Sequence, residues 1–197
     1  MPETSPNEPQ AVRIFETLGL HFGQLGVVVD DIERAVAAHA VLGPWALYTY
    51  DRARVPGMHI RGRAADFSFR IALNPHRPQL ELIQPLDDGN PYRTWLTEHG
   101  PGLHHLGFYV ASVDAAIGTM EAAGFPTIMG GTGHGADGTG GYCYFDTVST
   151  LGYIAEAIEV PVERHPPEAT MPLPEATSLT PAGVSSPPVG RGDPHGS

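Results

Sequence analysis

The chain contains no lysine, so all 11 of its basic residues are arginine. That absence excludes Schiff-base chemistry, attachment of pyridoxal phosphate and a lysine general base. Positive charge is scarce altogether: 22 acidic residues bring the formal net charge to −11. Affinity for a nucleic-acid backbone rests on Lys and Arg that neutralise phosphates, so no nucleic-acid partner is expected. Cys143 is the single cysteine, which excludes an internal disulfide and a cysteine-rich zinc site. No apolar run approaches the ~18 residues that span a membrane, so no membrane partner is expected either. The opening MPETSPNEPQ lacks the basic and apolar regions of a secretory signal. A soluble, cytoplasmic protein is the expectation these absences set.

Hydrophobic residues make up 41% of the chain, enough for a packed core and too many for a wholly disordered protein. The 197 residues suit one ordinary domain or two small modules. An internal repeat decides for the modules. Residues Gln24–Val36 (QLGVVVDDIERAV) align with His105–Ile117 (HLGFYVASVDAAI) at an offset of 81. Leu25/Leu106, Gly26/Gly107, Val29/Val110 and Ala35/Ala116 are identical, and Gly43 and Gly124 keep the same offset. A match at fixed offset marks a duplicated unit.

Each unit reads as a strand, a helix and three further strands. The first strands span 22–29 and 103–110, and the helices roughly 31–42 and 113–123. Asp30 or Asp31 and Ser112 stand where a side-chain oxygen caps the first turn. Strand-like stretches follow at 45–50, 67–73 and 80–84, then at 127–129, 142–146 and 153–160, with a short helical pattern at 92–99 between the units. The expected fold is therefore α+β, two βαβββ modules whose sheets form a cup. Module one covers 18–90 and module two 100–160, within a domain of 18–160. Residues 1–17 are expected to be a flexible N-terminal segment. Residues 161–197 are expected to be a Pro-rich disordered tail, since residues 165–197 hold 8 prolines in 33 positions and few large apolar side chains.

Side chains alternate along a strand. Leu25, Val27 and Val29 share one apolar face, as do Leu106, Phe108 and Val110. The opposite faces carry Gln24 and His105, each followed two residues later by a glycine that leaves room. The last strands repeat the device: Leu80-Glu81-Leu82-Ile83 matches Ala155-Glu156-Ala157-Ile158. A carboxylate inside an apolar strand is unfavourable unless it is paired, hydrated or bound to a metal. Gln24, Glu81, His105 and Glu156 together offer an amide oxygen, an imidazole nitrogen and two carboxylates. That donor set suits a divalent cation with water in the remaining positions. His104 should face the other side by alternation, as a packing residue or a hydrogen-bond donor behind the ligands, so its replacement is expected to leave metal binding nearly intact. His21 and Glu159 are out of phase with the donor set.

On these residues the chain resembles the vicinal oxygen chelate superfamily, which includes glyoxalase I, methylmalonyl-CoA epimerase, extradiol dioxygenases and bleomycin-resistance proteins. The resemblance covers about residues 18–160. Gly102-Leu-His-His-Leu-Gly-Phe-Tyr-Val110 and Leu80-Glu-Leu-Ile-Gln-Pro85 are similar to epimerase segments. Tyr144-Phe-Asp-Thr and Leu151-Gly-Tyr-Ile-Ala-Glu156 resemble the strand pair that ends in the fourth ligand. The resemblance implies a glyoxalase/bleomycin-resistance-like half-barrel fold. It also implies a divalent ion (zinc, cobalt, manganese, nickel or iron) on Gln24, Glu81, His105 and Glu156. Gln24 departs from the histidine usual in epimerases, and the whole set matches zinc-type glyoxalase I. The implied activity is a metal-dependent isomerase or epimerase that abstracts a proton next to a carbonyl, with Glu156 as base and Glu81 second. The substrate is a small carbonyl compound, an acyl-CoA or a 2-oxo compound, and the assembly a homodimer. The rivals are a glyoxalase I-type lyase, a non-enzymatic small-molecule binding or resistance protein, and an extradiol dioxygenase. Ferrous iron in the last needs two histidines and a carboxylate, and Gln24 removes one histidine.

Two further stretches carry expectations. The run Gly130–Gly141 (GGTGHGADGTGG) reads as a flexible loop over the site, with His134 on its surface. Six of the 11 arginines lie between 52 and 77. They read either as exposed strand positions or as a subsite for a carboxylate or phosphate.

Overall fold

The computed structural model describes residues 10–171. Among the described residues, eleven strands form one curled, unclosed sheet with five α-helices. Module one contributes β1 (Gln24–Val28), α2 (Ile32–Ala38), β2 (Trp45–Tyr50), β5 (Phe69–Leu73) and β6 (Gln79–Pro85). Module two contributes β7 (Gly102–Tyr109), α4 (Val113–Ala122), β8 (Thr127–His134), β9 (Gly140–Phe145) and β10 (Ile154–Glu159). Helix α3 (Pro91–His99) joins them, and α5 (Val148–Leu151) precedes β10. The mixed α+β fold of two cup-forming βαβββ modules is thus the one the repeat implies.

Local chemistry starts the helices. The Asp31 carboxylate accepts the Arg34 amide hydrogen at 2.9 Å, and the Ser112 hydroxyl oxygen accepts that of Ala115 at 3.2 Å. Each thereby satisfies a donor that the first turn leaves free. Asn90 caps α3, where Pro91 occupies a position needing no amide hydrogen. Helix faces then select strand faces. Val29 and Leu82 pack with Ile32 and Val36 of α2, and Phe108 and Ala157 with Val113, Ala116 and Met120 of α4. A third cluster, including Val28, Ile83, Phe69, Tyr92 and Tyr144, fills the concave side.

The sheet order explains how the halves meet. With β3 (His59–Ile60), β4 (Arg63–Ala64) and β11 (Ala169–Met171) included, the strands run β11-β2-β5-β6-β1-β7-β10-β9-β8-β3-β4. The two first strands pair antiparallel at the centre, Gln24 opposite Gly107 and Gly26 opposite His105. Each last strand lies parallel to its own first strand, placing Glu81 beside Gly26 and Glu156 beside Gly107.

Several expectations need correction. The segment 1–17 was expected to be flexible, but Gln10–Leu18 form helix α1. Ile14 and Leu18 are buried against α4 residues because they stand four apart on one face. Residues 1–9 lie outside the described residues. The tail expectation fails at its start. Residues 161–168 cross the molecule, and β11 (Ala169–Met171) pairs antiparallel with β2. Residues 172–197 lie outside the described residues. The connection between β2 and β5 also crosses: β3 (His59–Ile60) pairs with β8 of module two, and β4 (Arg63–Ala64) with β3. Finally, Gly130–Gly141 is not a loop. It forms the end of β8, a short turn and the start of β9, paired as a hairpin.

Candidate metal centre and its cavity

The central four strands bring the predicted residues together in two rows. One row reads Glu81, Gly26, His105 across β6, β1 and β7, and the other reads Gln24, Gly107, Glu156 across β1, β7 and β10. Each glycine lies between two polar residues, and one of these always belongs to the other module. A Cβ on Gly26 would stand 1.8 Å from His105 Cε1, and one on Gly107 would stand 3.0 Å from Glu156 Oε2 and 3.1 Å from Gln24 Cβ. The room that each glycine leaves is therefore occupied chiefly by its neighbours across the sheet.

The donor atoms of Glu81, His105 and Glu156 all lie within 4.8 Å of one another, and all three residues are buried. His105 Nε2 is 3.0 Å from Glu156 Oε2 and 3.5 Å from Glu81 Oε2. Despite that approach, neither His105 Nε2 nor Glu156 Oε2 makes a hydrogen bond with any partner among the described residues. Buried polar atoms are normally satisfied. Two that converge without bonding, beside a second carboxylate, fit a shared cation. Burial alone would lower the His105 pKa, but the nearby negative charges of Glu156 and Glu81 outweigh it and carry it up to about 9. Burial raises the Glu81 pKa, and the charge of Glu156 adds to that while His105 opposes it.

Gln24 lines the same cavity. Its orientation is fixed by a relay that the sequence did not reveal. The Gln79 amide donates to the Asn74 carbonyl at 2.9 Å, which turns Gln79 Oε1 toward the Gln24 amide nitrogen at 3.3 Å. The Gln24 oxygen is then the atom left to serve as a ligand.

His104 does not obey simple alternation. The pairing of β1 with β7 slips between Gly26 and Val27, so that Val27 meets Leu103 and His104 is the extra residue of a bulge. Its Nδ1 lies 3.1 Å from His105 Nδ1, and its ring packs among Tyr92, Trp95 and Tyr144. Burial, then the nearby His105 and His99, push its pKa down to about 2. His104 is therefore a neutral hydrogen-bond partner that orients His105.

Six of the seven tyrosines line the cavity: Tyr48, Tyr50, Tyr92, Tyr109, Tyr142 and Tyr144. It has a volume of about 780 Å³ including its open mouth. The hydroxyls of Tyr92 and Tyr144 bond each other at 2.8 Å, while those of Tyr109 and Tyr142 are buried without a hydrogen-bond partner among the described residues. Burial, then the charges of Glu156 and Glu81, hold the Tyr142 pKa well above its usual value, so its hydroxyl is a donor. The sequence carried a signal for this wall that went unread. Tyr48 and Tyr50, and Tyr142 and Tyr144, are spaced two apart on strands and so share a face.

The arginines between 52 and 77 do not form one subsite. Arg54 pairs with Glu168 at 2.9 Å and Arg70 with Glu33 at 2.6 Å, while Arg52, Arg61 and Arg63 are exposed. Arg77 alone stands against the cavity wall, its guanidinium 5.5 Å from the Tyr109 ring centre. His134 is half-buried in the wall rather than on a surface loop.

The fold and this centre define a class. The sequence profile of the Glyoxalase/Bleomycin resistance protein/Dioxygenase superfamily matches residues 23–144, and the chain belongs to that superfamily. Among solved structures, a hypothetical protein from Bacillus halodurans C-125 is similar at 19% identity over 74% of this chain and 97% of its own, with a TM-score of 0.50. The methylmalonyl-CoA epimerase from Mycobacterium tuberculosis shares 19% identity over 71% of this chain and 88% of its own, with a TM-score of 0.48. That from Streptomyces coelicolor, in complex with 2-nitronate-propionyl-CoA, shares 17% identity over 74% and 98%, with a TM-score of 0.49. At such identities the likeness is one of fold. No curated protein matches the sequence.

Proposed function

We propose that the chain is a divalent-metal-dependent isomerase or epimerase that moves a proton on the carbon next to a carbonyl. The observation that carries this reading is the convergence of His105 Nε2 and Glu156 Oε2, buried and unsatisfied, beside Glu81. Gln24, Glu81, His105 and Glu156 would hold the ion. When bound, it supplies Lewis-acid polarisation of the substrate carbonyl. The chain's own groups do the rest. Glu156, at the cavity wall, takes the proton from the carbon, and Glu81 is the second carboxylate in reach of the same space. The two come from strands on opposite sides of β7, an arrangement suited to removing a proton on one side and returning it on the other. The Tyr142 hydroxyl supplies a hydrogen bond to a substrate oxygen. The aromatic wall keeps water from the reacting carbon. The substrate class is a small carbonyl compound, an acyl-CoA or a 2-oxo compound, and the assembly a homodimer.

A second reading, a glyoxalase I-type lyase, is favoured by the free Gln24 oxygen, which completes a Gln, Glu, His, Glu set. An extradiol dioxygenase is disfavoured, because His105 is the one imidazole in the donor set. The test joins metal analysis of purified protein with deuterium exchange into a panel of acyl-CoA and 2-oxo compounds. Glu156→Gln keeps an oxygen donor but no base. It should retain part of the metal and lose roughly 10²–10⁴-fold in exchange, the usual contribution of a general base. Glu81→Gln should lose exchange only in proportion to lost metal. Turnover by neither the wild type nor any variant would favour a small-molecule binding protein.

A further inference from the structure

The cavity leads from the candidate metal centre to the chain segment that follows β10. An unbroken band of rings runs along it. Tyr48 and Tyr50 lie 6.3 Å apart, Tyr50 and His134 6.2 Å, His134 and Tyr142 6.4 Å, Tyr142 and Tyr144 5.9 Å, and Tyr144 and His105 4.9 Å, all between ring centres. The band joins walls from both modules, since Tyr48 and Tyr50 stand on β2 and Tyr142 and Tyr144 on β9. Rings offer edges and faces that favour offset or T-shaped contact with another ring.

At the other end stands Arg164. It belongs to residues 160–168, which cross from β10 to the far edge of the sheet like a strap. The strap is tied down by backbone groups and by other side chains. The Ala136 amide donates to the Glu163 carbonyl at 2.8 Å, and the Asp137 carboxylate accepts the Glu163 amide hydrogen at 3.1 Å. The Glu168 carboxylate accepts hydrogen bonds from the Thr49 amide and hydroxyl at 3.1 and 2.8 Å and pairs with Arg54. Arg164 takes no part in this anchoring. It lines the cavity and has no ion-pair partner among the described residues. Arg77 adds a second guanidinium against Tyr109. An aromatic cage without a cation in its lining would suit a cationic ligand; Arg164 reverses that preference.

We propose that this site takes a small aromatic carboxylate, its ring along the Tyr50–His134–Tyr142 band and its acidic group on the Arg164 guanidinium. The inference rests on the reading of the cavity as a substrate site and narrows it from carbonyl compounds in general to ring-bearing acids. The buried hydroxyls of Tyr109 and Tyr142 would then donate to polar substituents on that ring.

Three probes test it by calorimetric titration of the metal-loaded full chain: 2-naphthylacetate, its neutral amide and octanoate. The naphthyl acid should bind at least about tenfold tighter than either, the ratio that 1.4 kcal/mol sets. Arg164→Gln should weaken the acid about tenfold and leave the amide unchanged, with no change in melting temperature or metal content. Tyr50→Ala should weaken the acid and the amide alike. Octanoate binding as tightly as the naphthyl acid, or Arg164→Gln weakening acid and amide equally, would overturn the proposal. Competition by coenzyme A for the same site would overturn it in favour of an acyl-CoA. Metal content and deuterium exchange, measured separately, report on the reading beneath it. A protein that holds metal and exchanges protons but ignores all three probes refutes the ligand class alone.

Discussion

Gly26 shows how a single missing side chain can position a proposed ligand. A methyl group there would overlap the His105 ring at 1.8 Å, well inside any contact that real atoms tolerate. Gly26→Ala should therefore displace His105 and lower metal affinity at least tenfold, read by titration against a competing chelator. His104 makes a subtler case. Alternation along the strand predicts that it faces away, whereas the bulge brings its Nδ1 to 3.1 Å from His105. Since partners that orient a ligating histidine typically matter 10–100-fold, His104→Ala should weaken metal binding by about that much. His104→Asn, which can still accept a hydrogen bond, should restore part of the loss. Protons compete for the same atom. The folded pKa of His105 lies near 9, above its ordinary 6.5. Without metal, this group's stabilising contribution is full below pH 6.5 and is lost as pH rises through about 9. Glu81, whose pKa is also raised, acts in the same direction. Denaturant unfolding of chelated protein should show this decline, while metal affinity climbs over the same interval as the proton leaves Nε2.

Among the elements, the ones legible in the sequence were those with period and punctuation. Strands β1 and β7, their helices and the two glutamate strands repeat at one offset, and the capping residues mark their starts. Helix α1 was missed: Ala11, Ile14, Phe15 and Leu18 have helical spacing, but the prolines before it obscure the pattern. Strands β3 and β4 were not legible. Two residues carry no periodicity, and their pairing with β8 is set by where the long β2–β5 connection lands. The convergence of the tyrosines was equally hidden, because it depends on which strands face each other across the cup. The strap is the element whose correction changes an experiment. With residues 161–197 read as a disordered tail, a chain ending near Arg164 would be expected to fold and keep its metal. It now loses the β11–β2 pairing and the Glu168 contacts, of which the Arg54 ion pair, being partly exposed, contributes about 0–1 kcal/mol. Truncation after Arg164 should lower the melting temperature by several degrees, at about 2–4 °C per kcal/mol for a chain of this size. Truncation after Met171 keeps both features and is the matched control in a thermal melt.

At the scale of the whole molecule, all four proposed ligands come from one chain. Metal stoichiometry should therefore be one ion per chain at every protein concentration, and dilution below any dimer dissociation point should release none. Ultracentrifugation paired with metal analysis checks both. The two rows of the central sheet hold a further consequence. Because Gly26 sits against the second half's imidazole, and Gly107 against the first half's amide, the register reads each half against its opposite. If the halves were expressed as separate polypeptides, three pairings would compete. Two first halves in the same register would gather two amides and two carboxylates, with no imidazole. Two second halves would gather two imidazoles and two carboxylates, a set closer to the iron-binding type. Only the mixed pair makes the set seen here. The donor set is thus a record of heterotypic pairing, and covalent linkage in one chain guarantees an asymmetry that free association would dilute.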